Sequence, residues 1–185
     1  MKVALDTNLL VRLLTNDDTA QAALVESWLA RNATPQSPAY IDHVVLCELG
    51  WVLERSYSYS RTHVHEALAA LLEHDVLSIE SPALVRQALQ WFAAGPADFS
   101  DCLLAARARS AGCETVLTLN RKAAKTTTHR LLKPWHKAAA HRSSEQMQPM
   151  RATAHRVYDQ AAIEAGQLTA VRAGESQQIT VGDLS

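Results

Sequence analysis

Short apolar runs alternate with longer stretches of helical spacing along the first 132 residues. Lys2–Leu5 and Thr115–Leu119 read as strands, Val76–Glu80 as a third, and Ile41 and Leu131–Leu132 as the ends of short ones. Between them lie apolar residues at three- and four-residue intervals. Examples are Leu9, Leu10 and Leu13, and Val45, Leu46, Leu49 and Val52. Strands alternating with longer helices need crossover connections, which places the strands parallel. The pattern therefore predicts a three-layer α/β/α domain with a short parallel sheet over 1–132, and a C-terminal extension of unknown function over 133–185.

Punctuation supports this division. Asp17 or Asp18, Asp42 and Ser60 stand where helix N-caps are expected, Ser81–Pro82 has the cap-then-proline form, and Gly112 follows the helix predicted over 97–111. Residues 133–149 are basic and poor in bulky apolar side chains, which suggests a linker. Beyond them, Ala154, Val157, Ala161, Ala165 and Leu168 have helical spacing, and residues 169–182 alternate as a hairpin would.

Composition excludes some classes. No apolar run approaches the roughly 20 residues of a membrane span, and the chain starts on a strand pattern rather than a leader, so a cytoplasmic protein is expected. The net charge of −1 argues against a generic polyanion binder. Any basic surface must be local, as in 133–156, where five Lys or Arg face Glu145 alone. Cys47, Cys102 and Cys113 are spaced too irregularly for a zinc motif and read as small buried thiols. Trp28, Trp51 and Trp91 fall on apolar helix faces and are expected in core or interface packing.

Acids recur among apolar neighbours. Asp6 ends the first strand, Glu48 interrupts V-V-L-C-E-L-G-W-V-L, and Asp98 and Asp101 lie in A-D-F-S-D-C-L-L-A-A, one helical turn apart. Unpaired carboxylates in buried settings are costly, and several together repel. A hard divalent cation relieves both. Taken singly, Asp6 and Asp98 can be helix caps and Glu48 a solvated helix residue. Taken together they suggest an acidic metal site at the carboxyl rim of the sheet, where Asn120 also falls.

The order L-D-T-N, C-E-L, D-F-S-D-C-L-L-A-A, T-L-N-R-K-A-A-K resembles that of the PIN-domain nucleases, most of all the VapC toxins of bacterial toxin–antitoxin pairs. The resemblance implies an Mg²⁺-dependent endoribonuclease, with Mn²⁺ as a possible substitute. It assigns Asp6, Glu48 and Asp101 to catalysis and metal binding, and Asp98 to an additional ligand. Asn8, Thr118 and Asn120 would support the site. Arg121, Lys122 and Lys125 would hold the RNA backbone. A small antitoxin and a homodimeric state are implied as well. One position departs: the family commonly has T-F-D-R-K where this chain has T-L-N-R-K, so Asn120 replaces a fourth carboxylate. The alternative is a catalytically weakened PIN-like module that binds protein or RNA.

Overall fold

A computed structural model describes residues 2–133, 150 and 152–154. Met1–Leu132 makes up one unit of the chain, and Lys133–Ser185 falls outside it. The helix and hairpin predicted beyond residue 154 lie outside the described residues.

The elements run α1 (Thr7–Thr15), α2 (Thr19–Asn32), β1 (Ala39–Ile41), α3 (His43–Arg55), α4 (Arg61–Leu72), β2 (Leu77–Ile79), α5 (Pro82–Ala94), α6 (Phe99–Ser110), β3 (Val116–Thr118), a 3-10 turn (Ala123–Lys125) and β4 (His129–Leu131). Helices with short parallel strands are what the alternation predicts, but the described strands form two separate pairs rather than one sheet. β1 pairs in parallel with β2, Ile41 opposite Ile79, and β3 with β4, Thr118 opposite Leu131. The first predicted strand is smaller than expected. It joins β1 through a single parallel bridge, Ala4 to Tyr40, held by Leu5 N–H to Tyr40 O at 2.8 Å and Tyr40 N–H to Val3 O at 2.7 Å. Only Leu5 of this segment is buried; Val3 is partly so, and Lys2 and Ala4 are exposed.

Local capping chemistry sets several helix starts. Asp18 accepts from the Ala20 and Gln21 N–H groups, Asp42 from Val45 N–H at 2.8 Å, and Ser60 from His63 N–H at 3.2 Å. Ser81 does not cap. It sits in the left-handed region at φ 43° with no side-chain cap bond, and Pro82 takes the first helical position. Gly112, at φ 85°, lets the chain leave α6 in the left-handed conformation without a Cβ penalty.

The core gathers on α3. Leu46, Leu49 and Leu53 pack with Leu10, Ile41, Val64, Leu68, Phe92, Phe99 and Leu103. Phe92 and Phe99 meet edge to face at 6.1 Å, which joins α5 to the start of α6. Arg61 fixes the same connection. Its guanidinium donates to the Phe92 and Ala97 carbonyls and lies over the Phe92 ring. Trp28 and Trp91 are partly buried against this core, as expected, but Trp51 is 61% exposed. The helical period that turns Leu49 and Leu53 inward turns position 51 out. Of the thiols, Cys102 is buried and Cys47 partly so, while Cys113 is exposed because it follows the Gly112 turn. Burial raises the Cys47 thiol pKa and pushes that of Cys102 up to about 11. No described helix is long and apolar enough to cross a membrane.

Candidate active site

α3 packs against α1 on one side and α6 on the other, and α6 packs against β3. This chain of contacts carries the sequence-marked acids. Asp6 immediately precedes α1, Glu48 lies mid-way along α3, Asp98 and Asp101 begin α6, and Asn120 follows β3.

Two hydrogen bonds order these side chains. Thr7, 3% exposed, donates its hydroxyl to Glu48 Oε2 at 2.6 Å, across 41 residues of sequence. Asn120 donates its amide to Asp101 Oδ2 at 2.9 Å. The Asn120 oxygen accepts from Lys122 N–H at 2.9 Å, and its own N–H donates to Thr118 Oγ1 at 2.9 Å. Thr118 therefore holds the residue that holds Asp101. Asn8 is exposed and makes no side-chain hydrogen bond among the described residues; the hydroxyl that meets Glu48 belongs to its neighbour, Thr7.

Asp6 and Asp98 occupy N-cap positions with extended backbone, yet neither side chain makes the cap hydrogen bond. This sets them apart from Asp18 and Asp42, which do. Among the described residues none of Asp6, Glu48, Asp98 or Asp101 enters an ion pair, whereas Asp17, Glu73 and Glu80 are matched with Arg12, Arg86 and Arg107. Asp6 and Glu48 are exposed and Asp98 and Asp101 half-exposed. Their apolar neighbours are buried as expected, but the carboxylates themselves reach solvent. The helix and strand periods alternate the neighbours inward and the acids outward, so burial does not by itself demand a counter-ion.

An all-carboxylate donor set suits a hard divalent cation. Each bonded acid uses one oxygen, Glu48 Oε2 and Asp101 Oδ2, and the second oxygen of each makes no hydrogen bond among the described residues. Among the described residues, however, no three His, Cys, Asp or Glu stand together as a ready-made ion site. The donor chemistry fits; a preformed cage is not present.

A second arrangement, which the sequence did not reveal, ties α3 to α6. His43, 4% exposed at the start of α3, donates from Nε2 to the Glu80 carbonyl at 2.7 Å and accepts from Arg107 at Nδ1 at 2.6 Å. Its backbone N–H donates to Glu80 Oε2 at 2.9 Å. The two partners fix the tautomer: Nε2 carries the proton and Nδ1 is bare. The orientation of the two acid-bearing helices thus rests partly on the buried His43 ring.

Beyond Asn120, Arg121, Lys122 and Lys125 are exposed and enter no ion pair among the described residues. They stand on or beside the 3-10 turn that the Asn120 oxygen caps.

Helices packed around short parallel strand pairs make this an α/β domain of the PIN class. The PIN domain family model matches residues 3–128, and the chain belongs to that family. It is similar to a VapC ribonuclease of Aquifex aeolicus (strain VF5), 22% identical over 118 residues, which cover 64% of this chain and 87% of that protein. The likeness carried by the four sequence motifs holds on both counts.

Proposed function

We propose that the chain is a metal-dependent endoribonuclease that cleaves RNA phosphodiester bonds, acting as the toxin of a type II toxin–antitoxin pair. The observation that carries this reading is that Asp6 and Asp98 neither cap their helices nor enter an ion pair among the described residues, while Glu48 and Asp101 are each ordered by one hydrogen bond. Membership of the PIN family and likeness to a protein named as a ribonuclease support it.

In this reading Asp6, Glu48, Asp98 and Asp101 would hold Mg²⁺ or Mn²⁺. The ion supplies charge stabilisation at the phosphate and makes water more acidic. Thr7 fixes Glu48 by one oxygen and leaves the other to orient the attacking water. Asn120 fixes Asp101 in the same way. Arg121, Lys122 and Lys125 hold the strand by its phosphates, which positions it without reading its sequence. A small antitoxin and a second copy of the chain are the protein partners. Exposed Leu24, Leu104 and Leu119 provide apolar surface for them.

One observation favours a second reading. Asn120 brings no charge where the family commonly has an acid, and its amide occupies an Asp101 oxygen. A weakened binding module would keep the fold and lose turnover. Incubating the full chain with single-stranded RNA in Mg²⁺ and in excess chelator separates the two. Cleavage in Mg²⁺ that stops with chelator supports the nuclease; RNA bound but intact under both conditions supports the module.

A further inference from the structure

Within the solvent face of α3, which also carries Glu54 about 60° round from Trp51, one stripe runs lengthwise. Val44, Glu48, Trp51 and Arg55 are all exposed, Val44 by 73% and Trp51 by 61%. At about 100° per residue they fall within roughly 60° of one another around the helix. Side chains on a helix lean toward its N-terminus, so the Trp51 indole covers the turn that bears Glu48. Arg55, one turn further on, enters no ion pair among the described residues. An acid, an exposed aromatic ring and a free cation thus follow one another along about 10 Å of helix.

We propose that Trp51 is a substrate-positioning residue: its indole stacks on a nucleobase of single-stranded RNA next to the bond at Glu48, and Arg55 takes a neighbouring phosphate. The inference rests on the nuclease reading above and adds the contact that holds a base. Aromatic platforms interleaved with cations bind single strands with little sequence preference, because every base offers a π-face. A second copy of the chain is the poorer occupant. A twofold seam along this stripe would bring Glu48 toward its own copy in apolar surroundings, where like charges are costly.

The test is anisotropy of a short fluorescein-labelled single-stranded RNA titrated with the full chain in chelator, where turnover does not interfere. Trp51→Ala should weaken binding about tenfold and Trp51→Phe should keep most of it. Arg55→Gln should flatten the salt dependence by about 0.7 in the slope of log K against log salt. The melting temperatures should match the wild type, because both side chains are exposed. If the wild type binds and cleaves RNA and Trp51→Ala binds equally well, the stacking contact is overturned while the nuclease reading stands. If the wild type neither binds nor cleaves RNA, both fall. If Trp51→Ala turns a dimer into a monomer in light scattering, the stripe belongs to a second copy and the proposal is overturned.

Discussion

The Asn120 amide donates to Asp101 Oδ2 at 2.9 Å while its oxygen accepts from the Lys122 N–H at 2.9 Å. The two ends of the side chain do different work. The oxygen end caps the turn after β3, which either Asn or Asp can do. The nitrogen end faces a carboxylate, which only Asn can do.

Asn120→Asp should therefore keep the turn and place two carboxylates face to face. Without metal the variant should lose roughly 0.5–1 kcal/mol, because the pair is exposed and partly screened. With Mg²⁺ or Mn²⁺ it should gain more than the wild type does, by about 1.4 kcal/mol for each tenfold excess over the dissociation constant. Thermal unfolding of both proteins with and without Mg²⁺ measures this. Equal metal-dependent gains would remove Asn120 from the metal site.

Thr7→Val tests the other ordering contact. It keeps the buried shape and removes the hydroxyl that holds Glu48 Oε2. Stability should fall by about 1 kcal/mol, since the carboxylate it leaves is exposed and can be solvated. RNA cleavage should fall by about tenfold or more if that oxygen must be held. Unfolding curves and cleavage rates on the same preparation give both numbers; unchanged cleavage would make Thr7 purely structural.

Asp17 provides a pH signature remote from the site. Its carboxylate accepts from the Tyr57 hydroxyl at 2.6 Å and from Arg12 at 2.5 Å. The Tyr57 hydrogen bond first, then Arg12, lower its pKa from 3.8 to about 2. A lowered carboxylate stabilises the fold above its ordinary value and loses that contribution as pH falls toward the folded one. Asp17→Asn should therefore unfold at lower urea than the wild type near neutral pH, and the gap should close between about pH 4 and pH 2. A gap that stays constant over that range would show that the ionised carboxylate is not what braces α1.

How much of this was legible in the chain depends on the range of each interaction. Asp18, Asp42 and Ser60 cap helices as read, because a cap bond spans two or three residues. Ser81 has the same composition signal, yet its backbone is left-handed and its side chain makes no cap bond. The acids of the site were legible as outliers in apolar runs, but their exposure was not. A residue's own direction is set by the helix or strand phase rather than by its neighbours' hydropathy. Trp51 lies outside the core for the same reason. Thr7 on Glu48 and Arg107 on His43 join residues 41 and 64 positions apart, and only the packing of α1, α3 and α6 brings them together.

The assignment of the acids is tested most directly by RNA cleavage in Mg²⁺, wild type beside Asp6→Ala and Asp101→Asn, with unfolding curves as a control for folding. The Asp6 side chain makes no cap hydrogen bond, and its carbonyl, which accepts from Leu9 N–H, is kept in alanine, so the substitution should leave the melting temperature within about 2 °C of the wild type. The account predicts that the wild type cleaves RNA in Mg²⁺ and that chelator stops it. It predicts a loss of at least about a hundredfold in each variant, in keeping with removal of a metal ligand or its support. A folded Asp6→Ala that cleaves RNA at the wild-type rate would contradict it.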